Sequence, residues 1–143
     1  MKNVIFISIF LTMMSSVNAE VIGESKSSGV VFKDTISVSA EDDPDYKNVV
    51  CYTTGVEIGG PNFENPSNSS IACRLVGNFT GEPSSKKGVF SKAKNPFFKK
   101  LVVDRFYDPK RNVLVYLSYT KKMTGTNASH SVSVVPLGKS LIQ

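Results

Sequence analysis

A chain of 143 residues with 41% hydrophobic and 20% charged residues has the size of one folded domain and too many apolar residues for a disordered tail. Its single His, two Cys and lack of Trp cannot build a His–Cys zinc cluster, a c-type haem site or a pair of catalytic histidines. The formal net charge of +5 leaves an anionic partner open.

Residues 1–19 read MKNVIFISIFLTMMSSVNA. Lys2 supplies one positive charge, Val4–Met14 an apolar run, and Val17 and Ala19 the small residues of a cleavage point. This is the layout of a secretory signal peptide. The apolar run makes roughly 16 Å of helix, about half of a hydrocarbon core, so cleavage rather than anchoring is expected. The mature single domain, residues 20–143, then carries sixteen basic and twelve acidic residues. No membrane span is expected after cleavage.

The mature chain reads as strand after strand. In Val30–Ala40, Ile36, Val38 and Ala40 alternate with Ser37 and Ser39, which predicts one buried apolar face and one wet one. Asn48–Thr54 and Ser70–Val76 are strand-like and contain Cys51 and Cys73. Ile58–Ser70 between them, dense in Gly, Pro, Asn and Ser, reads as an exposed loop. In an oxidising compartment the two cysteines are expected to form a disulfide, which by loop-closure entropy contributes roughly 3 kcal/mol. Ser84–Lys94 is the best helix candidate, although Gly88 sits inside it. Phe97–Tyr107 and Val113–Thr120 flank the turn Asp108-Pro109-Lys110-Arg111-Asn112 and form the clearest hairpin. In its second strand Val113, Val115, Leu117 and Tyr119 share a face. After a loop over Met123–Ser129, Ser131–Leu137 is a last short strand that Pro136 ends. The expected fold class is all-β: a single-domain antiparallel sandwich or partly open barrel with one disulfide.

Charge is unevenly distributed. Glu20–Ser85 holds four basic and ten acidic residues, whereas Lys86–Lys122 holds eleven basic and two acidic. The acidic peak is Glu41-Asp42-Asp43-Pro44-Asp45; the basic peak runs through Lys86, Lys87, Lys92, Lys94, Lys99 and Lys100. The two halves could attract each other within the fold, or the basic half could meet an anionic partner. A calcium site at Glu41–Asp45 is a weaker reading, since Pro44 takes a ligand position and the block is not an EF-hand loop. His130 has no histidine partner, and Asp43 and Asp104 are paired carboxylates only if the fold brings them together. No nucleophile elbow, phosphate loop or dinucleotide fingerprint occurs. Asn68, Asn78 and Asn127 lie in sequons, which matter only in a glycosylating host.

Two blocks are unusual in composition: AEDDPDYKNVVCYTTG with the later IACRLVG, and LVVDRFYDPKRNVLVYLSYTKK followed by SVSVVPLG. Together, from about Val30 to Gly138, they resemble the CreA family of small exported bacterial proteins. The resemblance implies a periplasmic protein of a Gram-negative cell with no family catalytic residues. From this, a non-enzymatic binding or envelope-associated module is expected, with an undetermined protein or an anionic envelope ligand as partner and no nucleic acid or cofactor. Candidate binding residues are Arg105, Lys110 and Arg111, with Tyr107 for stacking, because guanidinium groups can hold a carboxylate or phosphate at two points. Alternatively Asp42, Asp43 or Asp45 pairs internally with Arg105 or Arg111, and both blocks serve folding. The rival class is an envelope-directed hydrolase using carboxylates and His130.

Overall fold

The computed structural model describes residues 19–27, 33–58, 63–64, 69–93, 100–121 and 129–138. Nearly all of the signal-peptide segment, most of the Ile58–Ser70 loop, and Lys94, Lys99, Asn68 and Asn127 lie outside the described residues.

The chain forms two antiparallel sheets. The first contains β1 (Glu20–Lys26), β2 (Thr35–Asp42), β3 (Val49–Ile58), β4 (Phe63–Glu64) and β5 (Ile71–Leu75), with β3 pairing to β2, β4 and β5. The second runs β6 (Lys86–Ala93), β7 (Lys100–Asp108), β8 (Val113–Lys121) and β9 (His130–Pro136) in chain order. The second sheet is a meander, in the first β5 returns to pair with β3, and the described β2–β3 and β7–β8 connections are short turns, which suits runs of Val, Ile, Thr and Tyr separated by Gly, Pro and Asn. Among the described residues no helix is long and apolar enough to cross a membrane.

The expected disulfide is present. Cys51 and Cys73 face each other in the β3–β5 register with an S–S distance of 2.07 Å. The two sheets meet along β5 and β9, where Ser133 Oγ accepts from Cys73 N at 2.7 Å. A serine side chain there satisfies backbone that would otherwise be left unpaired. The core between the sheets includes Val49, Cys51, Val103, Leu114, Tyr116 and Val135, each 1% exposed or less.

Four features depart from the sequence expectation. Ser84–Lys94 is not a helix: residues 86–93 are β6, and Gly88 at φ 62° makes an irregularity in its pairing with β7. A left-handed residue breaks a helix but is tolerated in a bulge. Residues 20–26 form an additional edge strand, exposed throughout. The two-residue β4 falls within the segment read as a loop. Finally, β2 turns the opposite way: Ser39 and Glu41 are buried and Ile36 is 37% exposed. The β3 partners decide this, because Ser39 pairs with Thr53 and Glu41 with Cys51, and both partners are buried.

Candidate functional site

The acidic block runs from the end of β2 into the turn before β3. Asp43 Oδ1 accepts from Asp45 N at 2.9 Å and Tyr46 N at 3.3 Å, so its side chain shapes the turn. The carboxylate also enters the interior at 1% residue exposure. There, Arg105 Nη1 donates to both its oxygens at 2.7 and 2.6 Å, and Tyr116 Oη donates to Oδ2 at 2.6 Å. The acceptor capacity of Asp43 is therefore taken up within the protein.

Arg105 is the hub of this cluster. Nη2 donates to Asp45 Oδ2 at 2.9 Å and Nε to the Ser84 carbonyl at 3.0 Å. Its guanidinium lies 4.3 Å from the centre of the Tyr46 ring. Tyr46 Oη in turn donates to the Glu82 carbonyl at 2.8 Å. One buried arginine thus holds the β2–β3 turn, the loop leading to β6, and β7 together. Burial acts against the Arg105 charge, but Asp43 outweighs it and raises the pKa further. Burial and the neighbouring Asp43 charge push the Tyr116 phenol well above its usual range.

The four candidate binding residues do not form one exposed site. The Arg105 side chain is 1% exposed and faces the acidic block, not a partner. Alternation along β7 sends it inward, where Asp43 and Asp45 satisfy it. Tyr107 is half-buried and donates to Asn112 Oδ1 at 3.2 Å. Lys110 and Arg111 lie in the exposed β7–β8 turn. Asp108 Oδ1 accepts from both their backbone amides, and Arg111 Nη1 bonds Asp108 Oδ2 at 2.8 Å. Asn112 closes the turn at φ 51°, a conformation Asn tolerates. Asp42 is exposed at the end of β2, and Asp45 also pairs with Lys86 at 2.9 Å. The internal-pairing alternative therefore describes Asp43, Asp45 and Arg105. Asp43 and Asp104 do not meet: Asp43 bonds Arg105 on one face of β7, and Asp104 occupies the other. Among the described residues no group of three or more His, Cys, Asp or Glu is placed to hold a metal ion.

A different charged feature lies on the outer face of the second sheet. Lys87, Gly88, Ser91, Lys100, Asp104, Tyr119 and Lys121 line a shallow cleft of about 300 Å³ together with Val102. Asp104 forms its floor, with a side chain 4% exposed. It accepts from Gly88 N at 2.7 Å and Lys87 Nζ at 3.0 Å. Burial raises the Asp104 pKa, but the bonds from Gly88 and Lys87 outweigh it and hold the carboxyl below its usual range. Lys87 thereby neutralises Asp104. Lys100 and Lys121 remain, directly opposite each other in the β7–β8 register, both exposed and with no ion pair among the described residues. His130 stands at the margin, opposite Tyr119. The Lys100–Lys121 juxtaposition was not read from the sequence, although the hairpin turn at residues 108–112 dictates it.

The family model described as CreA protein matches residues 22–140. Protein CreA of Escherichia coli strain K12 is 39% identical over 113 residues, covering 71% of this chain and 72% of that protein. Protein CreA of Escherichia coli O157:H7 matches with the same identity and coverage. No solved structure matches.

Proposed function

The chain belongs to the CreA family, and we propose that it is an exported, periplasmic, non-enzymatic binding module that engages an anionic partner through the Lys87–Lys100–Lys121 cleft. The observation that carries this reading is the Lys100–Lys121 pair. Like charges directly opposite on neighbouring strands destabilise a sheet, and these two have no carboxylate between them among the described residues. An anion seated there converts the repulsion into two attractions. The oxidised Cys51–Cys73 pair and the signal-like residues 1–19 support export. The interior Asp43–Arg105 cluster supports a scaffold role for the inward-facing residues of the two unusual sequence blocks, with binding on the opposite face of β7 and β8.

Calorimetric titration with inorganic tripolyphosphate at low salt tests the reading. Lys100→Ala with Lys121→Ala should weaken binding at least roughly tenfold, while Lys110→Ala with Arg111→Ala should leave it nearly unchanged. Equal binding by the Lys100/Lys121 variant and the parent would refute the site.

A further inference from the structure

We infer that the outer face of the second sheet docks onto the surface of an anionic phospholipid bilayer; the inference rests on the lysine-cleft reading and names its partner.

Strands β7, β8 and β9 carry apolar residues on the side away from the core as well as toward it. In β8 the inward side chains are Leu114, Tyr116, Ser118 and Thr120, all buried, whereas Val115 and Leu117 point outward and are half-buried. In β9 Ser131 and Ser133 take the inward-leaning positions, while Val132 and Val134 are 60% and 52% exposed. Register joins these residues into one patch. Phe106 pairs with Val115, Val115 with Val134, and Leu117 with Val132. An alternation that places serines inward and valines outward costs hydrophobic stabilisation in the isolated chain and marks a surface with a partner.

Charge identifies that partner. The apolar patch continues along β7 and β8 into the cleft with Lys100 and Lys121, and Lys87 lies over the Phe106 ring at 4.3 Å. Among the described residues the one carboxylate lining the cleft, Asp104, is buried and neutralised by Lys87. The face is therefore cationic at one end and apolar at the other, without an exposed carboxylate in the cleft among the described residues. The patch formed by Phe106, Val115, Leu117, Val132 and Val134 presents no side-chain donor or acceptor. Protein interfaces need about one hydrogen bond per 100–200 Å², whereas a lipid surface needs none from the apolar part. The backbone of β7 and β8, which carry Phe106, Val115 and Leu117, is paired on both sides within the sheet, and β9 is its edge, so the centre of the patch can approach the acyl boundary at little polar cost. Lysines with apolar stems suit the phosphate layer above it.

The test is flotation of the purified protein with vesicles of about 30% phosphatidylglycerol in phosphatidylcholine, against phosphatidylcholine alone. Binding to the anionic vesicles only, released at about 0.5 M salt, is expected. Lys100→Ala with Lys121→Ala should lower partitioning roughly 25-fold, about fivefold per lysine. Val132→Ser with Val134→Ser, both at exposed positions, should keep the melting temperature and tripolyphosphate binding yet lose at least several-fold in partitioning. Failure to float with anionic vesicles while tripolyphosphate still binds overturns the bilayer inference and leaves the lysine cleft standing. Loss of both in the parent protein overturns both. Parent-like flotation of the valine variant also overturns the inference.

Discussion

Arg105 holds Asp43 across 62 positions of sequence, its Nη1 lying 2.7 and 2.6 Å from the two carboxylate oxygens in a fully buried pair. The contact joins the turn of one sheet to the second strand of the other. Its charge-assisted geometry ties the acidic block to the block around Arg105, two compact stretches far apart in the chain. Removing one partner leaves the other charge buried, which costs about 3–5 kcal/mol. Arg105→Met and Asp43→Asn should each lower the urea-unfolding free energy by about that amount. Combining Arg105→Met with Asp43→Leu should cost less than the sum of the two single losses, because no orphan charge remains. Single variants with parent-like midpoints would contradict the structural role of the pair.

Tyr116 tests the same cluster at alkaline pH. Its phenol titrates above its usual value through burial and the Asp43 charge, with Arg105 opposing. The folded chain therefore retains a proton that the unfolded chain releases above about pH 10, so this contribution is present below pH 10 and is lost as pH rises beyond it. Ultraviolet titration should show a tyrosine step that accompanies unfolding, and Tyr116→Phe should abolish that step. The same substitution should cost about 1.5–3 kcal/mol through the lost bond to a charged group.

Acid should act through carboxylates of opposite sense. Asp104 is held below its usual range because its hydrogen bonds outweigh burial, and Asp45 is lowered first by its bond to Lys86. Both bind fewer protons folded than unfolded, so their stabilisation is present above about pH 4 and is lost as pH falls through the depressed values. Thermal melting should be flat in this respect from neutral pH to about 5 and fall below about 4. Asp104→Asn should reduce that acid slope, and an unchanged slope would contradict the Asp104 assignment.

The Cys51–Cys73 bridge spans a sequence separation of 22 residues. Cys51→Ser with Cys73→Ser should lower stability by about 2–5 kcal/mol. The loss should appear as a lower denaturant midpoint, with the parent reproducing it on addition of a thiol reductant.

Much of the architecture was legible in the chain. The Asp108–Asn112 turn and its flanking strands follow from Pro at the second turn position and alternating residues on either side. The cysteine pair follows from two strand-like segments around a loop. What the chain hid was the sense of the faces. Apolar alternation in β2 pointed to Ile36, Val38 and Ala40 as the inward set, but the Thr53 and Cys51 partners turn Ser39 and Glu41 inward. A period of two reports that faces exist, not which of them the other sheet covers. Exposed β1 lacked a signal because an edge strand in solvent needs no apolar face. Gly88 lowered the value of 84–94 as a helix, and its left-handed conformation is the reason. Arg105 reads in the sequence as a partner-binding charge, whereas its burial depends on Asp43 arriving from a distant turn. Lys100 stands in the sequence as one of a run of lysines, since its neighbour Lys121 lies across the hairpin.

The central claim is that anions bind at the outer lysine pair and not at the Arg111 turn. Two-dimensional amide NMR of the isotopically labelled protein, titrated with tripolyphosphate at low salt, tests it directly. The account predicts shifts centred on Gly88, Lys100, Tyr119 and Lys121, with Lys110, Arg111 and the Asp43–Tyr46 turn unmoved. Shifts centred on Lys110 and Arg111, or no shifts on the second sheet at all, would contradict it.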